Sequence, residues 1–152
     1  MGMTGSGGEA RIYVDSNVFI YAVEGRADIA EPLAELLELL RSRPGSAVTS
    51  ELTLAELLAK ADMTQRRDYL DLIVESGSVE LCAVSRDILI ETATYRRMMG
   101  AAKLADAIHV VTALQYGCSK LLSGDLRMKV PDGIELIDTN PRSLSALIEE
   151  FS

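Results

Sequence analysis

Ile12-Tyr13-Val14-Asp15-Ser16-Asn17-Val18-Phe19 is the stretch on which the fold turns. Its first three residues are apolar and partly β-branched, as expected of a short strand buried on both sides of a parallel sheet. The run stops abruptly at Asp15-Ser16-Asn17, three residue types that accept hydrogen bonds from the free N–H groups of a starting helix, so a helix is expected from near Val18. An acid thus stands at the carboxyl end of a strand, on the edge where open α/β sheets bind ligands. Asp15 carries two readings, helix cap and site acid, and the rest of the chain must decide between them.

Strand and helix signals alternate outward from this point. Short apolar runs at residues 46–49, 79–84, 120–123 and 134–137 read as further strands. Between them, apolar residues recur at helical spacing. Leu33, Leu36, Leu37 and Leu40 share one face, with Pro32 in a first turn where its missing N–H does no harm. Leu54, Leu57, Leu58 and Ala61 form a second stripe, and Tyr69, Leu70, Leu72 and Ile73 a third. Further helices are expected at residues 87–99, from Lys103 to Leu114, and through Leu144, Leu147 and Ile148. This alternation predicts an α/β fold, a mostly parallel sheet with helices on both faces in three α/β/α layers. No linker divides it: residues 9–152 read as a single domain after a flexible, glycine-rich tail at residues 1–8.

At 152 residues the chain can close one core, burying on the order of 70% of its unfolded surface, and hydrophobic residues supply 48% of it. With 5% aromatic residues and no Trp, a base-stacking platform is excluded as the main binding device. Cys82 and Cys118 lack metal-type spacing and read as small core residues. No run approaches the roughly 18–20 apolar residues that span a bilayer, and the start of the chain is not a signal peptide, so a cytoplasmic protein is expected.

Three more acids share the position of Asp15. Glu56 falls with Leu52, Ala55 and Ala59 on the second, semi-apolar face of its helix, where a carboxylate is costly unless a cation meets it. Asp106 opens the helix from Lys103 to Leu114, whose Leu104, Ala107, Ile108, Val111 and Leu114 form one stripe while Val110 and Ala113 make the opposite side apolar too, so burial nearly all round is expected. Asp125 follows the strand at 120–123 through Gly124, as Asp15 follows the first. Each acid alone could be a cap, a turn residue or a solvated charge. Two strands ending in acid and two helices presenting acid form the oxygen-rich set that Mg2+ or Mn2+ prefers. His109, the only histidine, reads as a packing or hydrogen-bonding residue rather than a general base.

The ordered segments Val14-Asp15-Ser16-Asn17-Val18-Phe19, Leu52-Thr53-Leu54-Ala55-Glu56-Leu57, Leu104-Ala105-Asp106-Ala107-Ile108-His109 and Ser123-Gly124-Asp125 resemble the motifs of PIN-domain nucleases, and more narrowly of VapC-type toxins from toxin–antitoxin pairs. The resemblance runs from about Arg11 to Asp138. It implies a PIN-like three-layer fold, an acidic metal site at Asp15, Glu56, Asp106 and Asp125, and a hydroxyl position at Ser123. It also implies an antitoxin that covers the site, and a homodimer. One departure stands out. Many relatives continue past the last acid with another acid and an aromatic residue, whereas Leu126-Arg127-Met128 follows here.

The expected chemistry is hydrolysis of RNA phosphodiester bonds with one or two Mg2+ or Mn2+ ions, the four acids acting as ligands or water-orienting groups and Asn17 and Ser123 bracing them. A net charge of -8 opposes RNA binding by the whole surface, so Arg96, Arg97, Lys103, Arg127 and Lys129 are the candidate phosphate contacts. The same acidity suits a basic protein partner such as an antitoxin. Two alternatives remain: a catalytically silent RNA- or protein-binding module of the same fold, and a haloacid-dehalogenase-type phosphatase. The second needs another acid two residues after Asp15, where Asn17 stands.

Overall fold

The computed structural model describes residues 10–100 and 102–152; the tail expected at residues 1–8 lies outside them. Five strands build one sheet in the order β3-β2-β1-β4-β5: β1 (Ile12–Val14), β2 (Ala47–Ser50), β3 (Glu80–Cys82), β4 (Lys120–Ser123) and β5 (Glu135–Asp138). Every neighbouring pair is parallel. Among the described residues, seven α-helices lie around the sheet: α1 (Ser16–Glu24), α2 (Ala30–Arg41), α3 (Leu52–Leu58), α4 (Met63–Leu70), α5 (Arg86–Met98), α6 (Leu104–Gln115) and α7 (Pro141–Phe151). A π-helical turn, Asp71–Glu75, extends α4.

Side chains alternate across a strand, so the central strand feeds two cores. Ile12 and Val14 point into one core with residues of α1, α2 and α7, including Phe19, Leu33, Leu36, Leu144 and Leu147. Tyr13 points into the other, with Ile88 of α5 and Ala107, Val110 and Val111 of α6. All three residues of β1 are buried, as are all four of β2. The three-layer α/β/α expectation is met, with an all-parallel rather than a mostly parallel sheet.

Two local expectations are corrected. The strand expected at residues 79–84 shrinks to Glu80–Cys82, because β3 is an edge strand and pairs only with β2. The helix carrying Asp106 is buried continuously from Ala107 to Ala113, but the ends of its predicted stripe, Leu104 and Leu114, are 53% and 43% exposed. Both thiols are free and buried, as expected. Among the described residues, no helix is long and apolar enough to cross a membrane.

Sheet order positions the site. Growth runs one way from β1 through β2 to β3 and the other way from β4 to β5, so the order reverses between β1 and β4. Ligands of open α/β sheets bind beside such a reversal, at the carboxyl ends of the strands. Asp15 follows β1 directly, and Asp125 lies two residues past β4.

Candidate metal centre

Asp15 satisfies both of its readings at once. Its backbone is extended and its N–H donates to the Leu122 carbonyl at 2.9 Å, prolonging the sheet by one residue. Its Oδ1 caps α1 by accepting the Ser16 N–H at 2.8 Å, and its Oδ2 accepts the Ser123 hydroxyl at 2.7 Å. The side chain is buried, and among the described residues no lysine or arginine forms an ion pair with it.

Asn17 and Ser123 pin the two strand ends together. Asn17 Oδ1 accepts the Gly124 N–H at 2.9 Å, and its Nδ2 reaches 3.4 Å from Ser123 Oγ. Ser123 Oγ also accepts the Asp125 N–H at 2.9 Å, so one hydroxyl links Asp15 to the backbone that carries Asp125. Gly124 makes room for the Tyr21 side chain. A Cβ there would lie 1.9 Å from the Tyr21 hydroxyl oxygen.

Asp106 sits in the first turn of α6, half-buried. Burial holds its carboxyl above the ordinary aspartate range, and the negative charges of Asp15 and Asp125 push it further the same way. His109 and Lys103 act in opposition. Asp125 departs in the other direction: its side-chain bond to Arg127, followed by its bond to the Arg127 N–H, holds its carboxyl below the usual range. The Arg127 Nε lies 3.0 Å from Asp125 Oδ1. Where relatives were expected to carry another acid, this chain places a cation on its last acid.

Glu56 projects from α3 as a half-buried side chain and meets His109 Nε2 through Oε1 at 2.8 Å. The same nitrogen is 3.8 Å from Asp15 Oδ1. On its other side the buried His109 ring meets the Tyr13 hydroxyl through Nδ1, and the Tyr13 oxygen in turn accepts the Ser50 N–H at 3.0 Å. His109 is therefore a hydrogen-bonding residue, as expected. Tyr13 was not anticipated, although a tyrosine inside an otherwise aliphatic strand signals a hydroxyl in need of a buried partner.

A cavity of about 230 Å³ opens beside the acids, lined by Asp106, Asp125, Tyr95, Lys103, Arg127 and Lys129. Of the five candidate phosphate contacts, three thus face it. Arg96 instead donates to the Ala102 carbonyl at 2.9 Å, and Arg97 is not among the lining residues.

Asp15, Asp106 and Asp125 suit a hard divalent cation in donor type, and the mutual repulsion felt by Asp106 is the conflict that such a cation would relieve. As the side chains stand, no three His, Cys, Asp or Glu groups among the described residues converge tightly enough to hold one ion. Glu56 is turned to His109 and Asp125 to Arg127. The set fits in kind and in electrostatic reach, and ligation by those two groups requires a change of partner.

Comparison with solved structures returns the same architecture. A toxin–antitoxin complex from Klebsiella pneumoniae superposes with a TM-score of 0.60 at 21% identity, over 82% of this chain and 95% of that one. VapBC2 from Rickettsia felis, solved with a DNA fragment from its promoter, gives 0.59 at 21% identity, over 84% and 98%. VapC20 from Mycobacterium tuberculosis, described as a toxin that cleaves the sarcin-ricin loop, gives 0.53 at 19% identity, over 75% and 91%. No curated protein sequence matches. A family model, the PIN domain, matches residues 12–134, and on that span the chain belongs to the PIN-domain family.

Proposed function

We propose that this protein is a divalent-metal-dependent endoribonuclease, the toxin of a toxin–antitoxin pair, with residues 9–152 acting as one catalytic domain. The observation that carries the reading is the placing of Asp15 and Asp125 at the ends of β1 and β4, joined through the Ser123 hydroxyl where a PIN-family sheet reverses its order, with Asp106 close enough for their charges to push its carboxyl up. A fold gains nothing in stability by gathering acids this way, and such perturbation concentrates at functional sites.

In this reading Asp15, Asp106 and Asp125 hold one or two Mg2+ or Mn2+ ions, and Glu56 completes the shell or orients the attacking water. The chemistry that a bound ion supplies is a water acidified toward neutral pH and charge stabilisation at the leaving oxygen. Ser123 holds the Asp15 carboxylate at 2.7 Å and the backbone of Asp125 at 2.9 Å, so the two strand-end acids keep one relative position. Lys103, Arg127 and Lys129, which line the cavity, bind phosphates on either side of the cut. This local cationic rim answers the objection of an acidic surface. The net charge of -8 suits a basic antitoxin, and similar structures are toxin–antitoxin complexes. Assembly as a homodimer in the cytoplasm belongs to the same reading.

The test is RNA cleavage with Mg2+ or Mn2+ present. Asp15→Asn and Asp106→Asn should each remove cleavage while the circular dichroism spectrum stays unchanged, and EDTA should silence the wild type. Full activity in both variants, or indifference to EDTA, refutes the reading. The pairing of Glu56 with His109 and of Asp125 with Arg127 favours a second reading, a silent binding module. Tight partner binding with neither metal affinity nor cleavage would establish it.

A further inference from the structure

We propose that His109 is a positioning residue for Glu56, oriented by the buried Tyr13 hydroxyl at Nδ1 so that its Nε2 N–H faces the carboxylate. The proposal deepens the nuclease reading, and only its cleavage arm rests on that reading.

The assignment follows from the order of donors and acceptors. The Ser50 N–H is a donor only, and it points at the Tyr13 oxygen from 3.0 Å. Tyr13 is fully buried, and burial pushes its phenol well above the ordinary range, so the hydroxyl keeps its proton. That proton has an acceptor 2.5 Å away in His109 Nδ1. An accepting Nδ1 is bare, which places the proton of a neutral ring on Nε2. There Glu56 Oε1 waits at 2.8 Å and Asp15 Oδ1 at 3.8 Å. A single line runs from the Ser50 N–H through the Tyr13 hydroxyl to the ring, and from the ring to Glu56, with a donor facing an acceptor at each step.

The line has a rigid end and a free end. Tyr13 lies in the central strand and His109 in the fully buried stretch of α6, and their rings pack edge to face with centroids 5.6 Å apart. Glu56 lies on the seven-residue α3 and is half-buried. A glutamate loses substantial rotamer entropy on being held, so a fixed N–H is what keeps its carboxylate in place. Were His109 only a satisfied core residue, its second nitrogen could end on any backbone carbonyl. It ends on an acid carried by another helix, Glu56 of α3, and within 4 Å of Asp15.

The chain contains one histidine, so histidine-labelled protein gives one ring spectrum. Long-range proton–nitrogen correlations at neutral pH should show a bare Nδ1 and a protonated Nε2 in the wild type, and Tyr13→Phe should move the pattern toward a tautomer mixture. A bare Nε2, or two protonated nitrogens, overturns the assignment. For positioning, the side-chain carboxyl carbon resonance of Glu56 should shift in His109→Leu and return in His109→Gln, whose Nε2 amide restores the N–H. Mn2+ affinity and RNA cleavage should follow, with Leu costing about 10–100-fold and Gln recovering most of the loss. Equal behaviour of the two variants in the Glu56 resonance overturns the positioning role. Absence of metal binding and cleavage in the wild type overturns the nuclease reading alone, because the two spectra still decide His109.

Discussion

The two edges of the sheet handle charge in opposite ways. At the amino edge, Arg11 donates to the Gly45 carbonyl at 2.9 Å and the Tyr116 carbonyl at 2.6 Å, and it pairs with Glu80 at 3.2 Å. Lys120 sits there between Glu135 at 3.1 Å and Glu150 at 3.5 Å. Each cation meets an anion, and Arg11 also satisfies the carbonyl end of α6, where a positive charge is favoured. At the carboxyl edge, Asp15 and Asp106 have no such partner among the described residues, and the acids act on one another. Balanced charge at one edge holds elements together. At the other, Asp125 pairs with Arg127 while Asp106 stays under the repulsion of its neighbours, a conflict that a bound cation would relieve.

The sharpest way to break this contrast is to neutralise the acids one at a time. Asp106→Asn and Asp15→Ala should both drop cleavage to background, yet move stability in opposite directions. Removing Asp106 relieves burial of a charge and repulsion by two others, so the melting temperature at neutral pH should rise, by an amount that solvent screening keeps small. That gain should be full where Asp106 is ionised and should fade as pH falls and the aspartate takes up its proton, because its folded-state value is raised. Removing Asp15 deletes the cap on α1 and strands the Ser123 hydroxyl, at a cost of about 0.5–2 kcal/mol. If both variants destabilise alike, the carboxyl edge is as structural as the amino edge.

A smaller effect compares one glycine from each edge. At Gly124 a Cβ would run into the Tyr21 ring, whereas Gly45 has open space but a φ of 86°. Gly124→Ala should therefore cost about 1–3 kcal/mol through overpacking and, by moving the turn that carries Asp125, also lower cleavage. Gly45→Ala should cost about 1 kcal/mol of backbone strain and leave cleavage alone. Arg11→Ala belongs with Gly45: urea titration should show a loss of about 0.5–1.5 kcal/mol from the lost hydrogen bonds, with cleavage by the folded fraction unchanged. A cleavage defect in Arg11→Ala at full folding would join the two edges functionally.

What the sequence allowed to be read follows from how local each signal is. Two of the three interior strands were legible to the residue, Ile12–Val14 and Lys120–Ser123, because a fully buried strand is a continuous apolar run with polar ends, while β2 was placed one residue early, at 46–49 rather than Ala47–Ser50. The edge strand β3 was overestimated, since apolar composition does not say where a partner strand ends. The positions of Asp15 and Asp125 at strand ends were readable for the same local reason. The partner of Glu56 was not, because helical spacing reveals which face a residue occupies but not what lies opposite, and His109 is 53 residues away. Arg127 was read as a candidate phosphate contact, standing where an acid was expected, and not as a partner of Asp125. That it pairs with Asp125 depends on the turn geometry beyond Gly124.

The smallest expected effect concerns the two thiols, which lie within reach of the amino-edge charges. Arg11 lowers the pKa of both Cys82 and Cys118, and a nearby cation is the usual means of activating a cysteine. Burial is the larger influence in each case, and Glu80 reinforces it, so Cys82 is pushed up to about 11 and Cys118 to about 12. At pH 8 both should stay protonated, and iodoacetamide should leave the native protein unmodified over hours while labelling both sites in urea. Arg11→Ala should not change this outcome, since it removes a lowering influence from thiols that are already inert. Rapid native labelling that Arg11→Ala abolishes would mean that the amino-edge cation is not fully spent on Glu80 and the two carbonyls, and the balance assigned to that edge would fail.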